Sequence, residues 1–108
     1  MPAPVPVVGV FGPGRLRLTL VDSVPSGALV LAEEDDMLLE DAYKRVMQTL
    51  KGGVPVFAPP ADARPAVAVW SVGAELARGG PVKEAVFAFT DPALLNAYAL
   101  ALAKLLEP

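Results

Sequence analysis

The densest run of side chains able to do chemistry is Glu33-Glu34-Asp35-Asp36, extended by Glu40 and Asp41. Carboxylates this close could share a divalent cation, because magnesium and calcium take oxygen ligands. Glu33, Glu34, Asp35, Asp36 and Glu40 are therefore a candidate metal site, and with it the only visible basis for a metal-dependent enzyme. Their spacing lacks the D-x-D-x-D-G pattern of a calcium loop. The same acids also suit a helix start, where they cap free amides and meet the positive end of the helix dipole. A patch for a basic partner is a further use.

Two arginines form a second candidate. Arg15 and Arg17 alternate with Leu16 and Leu18, so they leave one face of a strand together and could grip an anion. More often such a pair is a solvated sheet face. Trp70 is a candidate for stacking a ligand or anchoring a partner. It also alternates with Ala66 and Ala68, whose small side chains leave room for its ring in a core. The glycine-rich stretch Gly9-Val10-Phe11-Gly12-Pro13-Gly14 leads into a strand and lacks Gly-Lys-Ser/Thr, so it is a turn and not a phosphate loop. Ser23, Ser26 and Ser71 are the only serines, and none sits in G-x-S-x-G.

What is missing narrows the chemistry further. There is no histidine and no cysteine. A Ser-His-Asp triad, a thiol nucleophile, a disulfide and the usual zinc site are all excluded. No motif calls for a cofactor. The net charge of −3 disfavours the broad basic surface that nucleic acid needs. No stretch reaches the roughly 18 apolar residues that span a bilayer. The longest, residues 93–106, contains Asn96 and Lys104. The opening Met-Pro-Ala-Pro-Val-Pro-Val-Val has no basic region, and proline interrupts it, so no signal peptide is expected. These features make a cytoplasmic protein the expectation, without membrane or nucleic-acid partners. One Asn, one Gln and much loop proline fit a thermophilic source, although a GC-rich genome gives the same bias.

The elements that must position these residues follow from periodicity. Pro2, Pro4 and Pro6 suggest an edge strand that cannot donate hydrogen bonds on one side. Strands are predicted at 7–11, 15–21, 28–32, 54–57, 66–72 and 82–89. A helix is predicted from Met37 to about Lys51, with Leu39, Ala42, Tyr43, Val46, Met47 and Leu50 on one face. Its outer face carries Glu40–Lys44 and Asp41–Arg45 at i, i+4. A second helix starts after Asp91-Pro92, with Asp as N-cap and Pro at its first position.

The expected fold is thus one α+β domain over residues 1–108. It has about six strands in an antiparallel or mixed sheet, with two helices packed on it in βββα-βββα order. The halves, 1–53 and 54–108, share a pattern. An offset of 55 places Asp36, Leu39, Ala42, Tyr43 and Leu50 on Asp91, Leu94, Ala97, Tyr98 and Leu105. Internal duplication and two similar units chosen by the same packing rules both explain this.

The second predicted helix is apolar nearly all round and must be covered on more than one side. Hydrophobic residues make up 54% of the chain, more than one small core needs. The cheapest cover is a second copy, so a homodimer is expected, with Leu95, Leu102 and Leu106 at the contact.

Phe89-Thr90-Asp91-Pro92-Ala93-Leu94-Leu95-Asn96-Ala97-Tyr98 resembles the N-terminal domain of the SseB family. That family shows a Phe-Thr-Ser/Asp start, a leucine six residues after the Phe and an aromatic nine after it. Phe89, Thr90, Leu95 and Tyr98 hold those places. Upstream, Val54-Pro55-Val56-Phe57-Ala58-Pro59 is similar to its short strand ending in proline. The likeness covers residues 54–98. It departs where Phe87 stands for the usual proline, no strands follow the last helix, and residues 1–53 have no counterpart. It carries no catalytic residues over and implies an accessory or interaction domain. Together these readings favour a non-catalytic interaction or regulatory module acting as a homodimer. The alternative is a small-ligand or anion binder with a pocket near Arg15, Arg17 and Trp70.

Overall fold

A computed structural model describes residues 7–107. The sequence reading of Pro2, Pro4 and Pro6 falls outside the described residues. Strand β1 (Val7–Phe11) turns into β2 (Gly14–Leu20) through Gly12-Pro13. Gly12 takes φ +58°, which proline cannot, so the pair suits a type II′ hairpin turn. Along β2, Leu16 and Leu18 are buried and Arg15 and Arg17 exposed, the alternation expected of a half-buried strand.

The first helix, α1 (Asp36–Thr49), buries Leu39, Tyr43 and Met47, one per turn. Asp35 caps it: its Oδ1 accepts from the amides of Met37 at 2.8 Å and Leu38 at 3.3 Å. Strand β3 (Val56–Phe57) is only two residues long. Prolines 55, 59 and 60 supply no amides beside it. That also limits the strand expected at 28–32, which reduces to a single bridge of Leu29 on Phe57. Leu29 N–H donates to Val56 O, and Ala58 N–H to Leu29 O, both at 2.8 Å.

The largest correction is at residues 66–72. They belong to a helix, α2 (Pro65–Ala77), and not to a strand. The small and β-branched run Ala66-Val67-Ala68-Val69 mimics strand alternation. Pro65 at the first helical position and Gly79 just past the end, at φ +78°, are the helix signals that outweigh it. Strand β4 (Glu84–Phe89) and helix α3 (Pro92–Leu106) follow. Asp91 caps α3 as expected, accepting from Ala93 N–H at 2.9 Å.

Among the described residues the fold is α+β with three helices and four strands, against the two helices and six strands expected. The order βββα-βββα is replaced by β1-β2-α1-β3-α2-β4-α3, so the two halves are not structurally alike. The sheet is mixed, in the order β1-β2-β4-β3. β1 and β2 are antiparallel; β2–β4 and β4–β3 are parallel. The sheet's inner pair, β2 and β4, joins the two halves into one layer.

All three helices lie on one face. Phe87 on β4 meets Tyr43 of α1 at 6.0 Å and Tyr98 of α3 at 5.6 Å between ring centroids. Gly14, on the same face, leaves its side open to Leu76 of α2. Leu29 lies outside β3, so Leu29–α1–β3 and β3–α2–β4 step the same way across the sheet and share one hand. Parallel crossovers are right-handed in about 98% of cases. The opposite face of the sheet carries Arg15 and Arg17 of β2. Val86 and Ala88 point to that face, and both are buried.

Helix α2 explains the apolar surplus. It packs against α1, α3 and the sheet and buries Ala68, Val69, Val72, Gly73 and Leu76. The helix that needs cover on several sides is therefore α2, and its own chain supplies the cover.

Candidate functional site

Helices α1 and α2 leave a shallow groove of about 360 Å³ along their outer edge. Asp36, Met37 and Glu40 line it from α1; Ala66, Val67 and Trp70 line it from α2. Trp70 is 46% exposed, and Met37 74%. The expectation of a core tryptophan fails because a helical α2 sends Val69, Val72 and Leu76 inward and Trp70 outward. Lys44 Nζ stands 5.4 Å from the Trp70 ring centroid, a cation over a π face. Its ammonium also pairs with Glu40 Oε1 at 3.3 Å, the i, i+4 pair read from the sequence. Among the described residues no ion pair joins Asp41 to Arg45. Arg64 Nη1, just before α2, reaches Asp36 Oδ2 at 3.2 Å and ties the starts of the two helices together.

Beyond Asp36 the groove passes into an acidic hollow lined by Glu33, Glu34, Asp62 and Arg64, among others. The proposed metal ligands therefore have separate tasks. Asp35 caps α1, Asp36 pairs with Arg64, and Glu40 pairs with Lys44. Among the described residues no group of three or more carboxylates is arranged to hold a cation.

Arg15, Arg17 and Trp70 do not meet. The two arginines are on the sheet face opposite the helices, and Trp70 is on the outside of the helical layer. Glu84 on β4 already holds both guanidiniums, with Arg15 Nε 2.7 Å from Oε1 and Arg17 Nη2 3.9 Å from Oε2. Within one described chain, the three residues line no common pocket.

The dimer residues also divide. Leu102 is buried in the core, where Gly9 of β1 leaves room for it. Leu95 is partly buried against the same core. Only Leu106 of the three remains exposed; Leu100 and Leu105 of the same helix are exposed as well.

Two polar features escaped the sequence reading. Glu75 on α2 is almost wholly buried, and its Oε1 accepts from Gln48 Nε2 at 3.1 Å and Arg78 Nη1 at 3.3 Å. This network fastens α1 to the C-terminal end of α2. Its only local signal was an i, i+3 Glu–Arg spacing between the strands expected at 66–72 and 82–89. The second feature is a pair of buried phenols, Tyr43 and Tyr98, whose hydroxyls have no hydrogen-bond partner among the described residues. Burial pushes the Tyr98 phenol up to about 12, and burial with the neighbouring Tyr98 pushes Tyr43 higher still.

No described helix is long and apolar enough to cross a membrane. No family model matches the chain, and neither does any curated protein or solved structure. The likeness of residues 54–98 to the SseB domain therefore rests on those residues alone.

Proposed function

We propose that the chain is a non-catalytic protein-binding module that seats apolar side chains of a partner in the α1–α2 groove. The observation behind this is the half-exposed Trp70, the chain's one tryptophan, which lines the groove with Val67 from α2 opposite Met37 of α1. Tryptophan and methionine are enriched where proteins meet, and tryptophan is a frequent anchor. Nothing in the folding of α2 requires the ring to point outward into a groove rather than be a smaller polar residue. The apolar walls suit side chains of a protein segment better than a charged metabolite.

A random-peptide display library panned on the purified protein tests the reading. Enriched sequences should carry large aliphatic or aromatic anchors and should be lost on Trp70→Ala. Retention of the same sequences by that variant would overturn it.

Self-association is a second reading, carried by α3. No charge interrupts residues 93–103, and the outward Leu100 is 60% exposed. We place a second copy on Leu100 and Leu106, in place of Leu95 and Leu102. Light scattering at tens of micromolar should show a dimer that Leu100→Glu with Leu106→Glu converts to a monomer; a monomeric parent protein would remove the reading.

A further inference from the structure

We infer that the partner segment is basic as well as apolar, presenting lysine or arginine next to its anchor; this rests on the groove being the docking site. The groove and the hollow beside it are lined by five carboxylates, Glu33, Glu34, Asp36, Glu40 and Asp62. Two cations border them, Arg64 and Lys44. The difference of −3 equals the net charge of the whole chain, so the remaining surface is balanced and the field is concentrated at this one edge. Asp36 and Glu40 already have their cations. Among the described residues Glu33, Glu34 and Asp62 have no cationic partner within the chain, and all three are exposed.

The arrangement is directional. Apolar surface at Trp70 and Met37 continues past Asp36 into uncompensated carboxylates. A segment lying along it meets an apolar seat first and negative charge next. The Trp70 ring also accepts a cation, as Lys44 demonstrates at 5.4 Å. A second copy of this chain is poorly matched, because its own charge excess has the same sign. Complementary charge sets partner choice and association rate here, while the apolar anchor supplies residence time.

Three short amphipathic peptides, built from Leu with Lys, Gln or Glu, test this by calorimetry against the full chain. The Leu/Lys peptide should bind tightest and weaken several-fold from about 0.05 M to about 0.5 M NaCl, as screening predicts. The Leu/Glu peptide should bind weakest. Combining Glu33→Gln, Glu34→Gln and Asp62→Asn should reduce the Leu/Lys affinity to that of Leu/Gln. Trp70→Ala should abolish both, with its fold checked by circular dichroism. Equal binding of all three peptides, lost in Trp70→Ala, overturns the basic preference and leaves the docking site intact. Leu/Lys binding unchanged by Trp70→Ala overturns the docking site and the inference together, as does no binding by any peptide.

Discussion

Gly73 of α2 lies directly against the ring of Phe11 of β1. A Cβ added there would stand 2.6 Å from Phe11 Cε1. The missing side chain is what lets the middle helix settle onto the hairpin edge of the sheet. Gly73→Ala would normally favour a helix by up to about 1 kcal/mol. Here the ring must move within a packed core, which costs about 1–3 kcal/mol. The expected result is a lower urea midpoint with an unchanged m-value. A stabilised variant would show that Phe11 shifts freely.

Stability should fall at alkaline pH. In the unfolded chain both tyrosines titrate near 10. In the native state Tyr98 titrates at about 12 and Tyr43 above that. Below pH 10 both states keep the protons and the contribution is complete. Above it the unfolded state ionises first, so stability is lost as pH rises from 10 through 12. Tyr43→Phe with Tyr98→Phe should remove much of that slope. At pH 7 the same change should be neutral or stabilising, since it deletes two hydroxyls without hydrogen-bond partners.

The acidic run should behave as a cap and a surface, not as a metal site. Asp35→Ala removes both side-chain hydrogen bonds at the start of α1 and should cost about 1 kcal/mol. Millimolar magnesium or calcium should leave the melting temperature of the parent protein unchanged. A rise with either ion that Asp36→Asn abolishes would restore the metal reading.

Arg15 and Arg17 should be nearly silent. Their shared partner Glu84 is on an exposed face, and such pairs contribute less than about 1 kcal/mol. Arg15→Ala should change the midpoint little. Phosphate should give no thermal shift that depends on either arginine.

The sequence disclosed most where one local signal had no rival. Asp91-Pro92 marked α3 correctly, and the leucines of β2 marked its inner face. Glu40–Lys44 formed as spaced. Reading failed at α2, because Ala-Val-Ala-Val satisfies a two-residue period and a buried helix alike. That one mistake displaced Trp70 from the groove to the core. It also left α2 out of the account of the apolar surplus, which then fell to the strands of the second half and to the last helix. The groove itself could not be read, since one of its two walls is α2, where a strand was expected. Leu102 was misjudged for a similar reason: its cavity is made by Gly9, distant in sequence.

The pairing of β2 with β4 also has a consequence for biosynthesis. On the edge away from β1, residues 15–20 find their neighbours only among residues 84–89. A ribosome releases the first hairpin long before it releases the strand that pairs with this edge or the helices α2 and α3 that pack on β2. Loop closure over that distance must precede any reward from the contacts, which slows folding. During that interval the nascent hairpin shows an open strand edge and a leucine face, the features that chaperones shield and that drive aggregation.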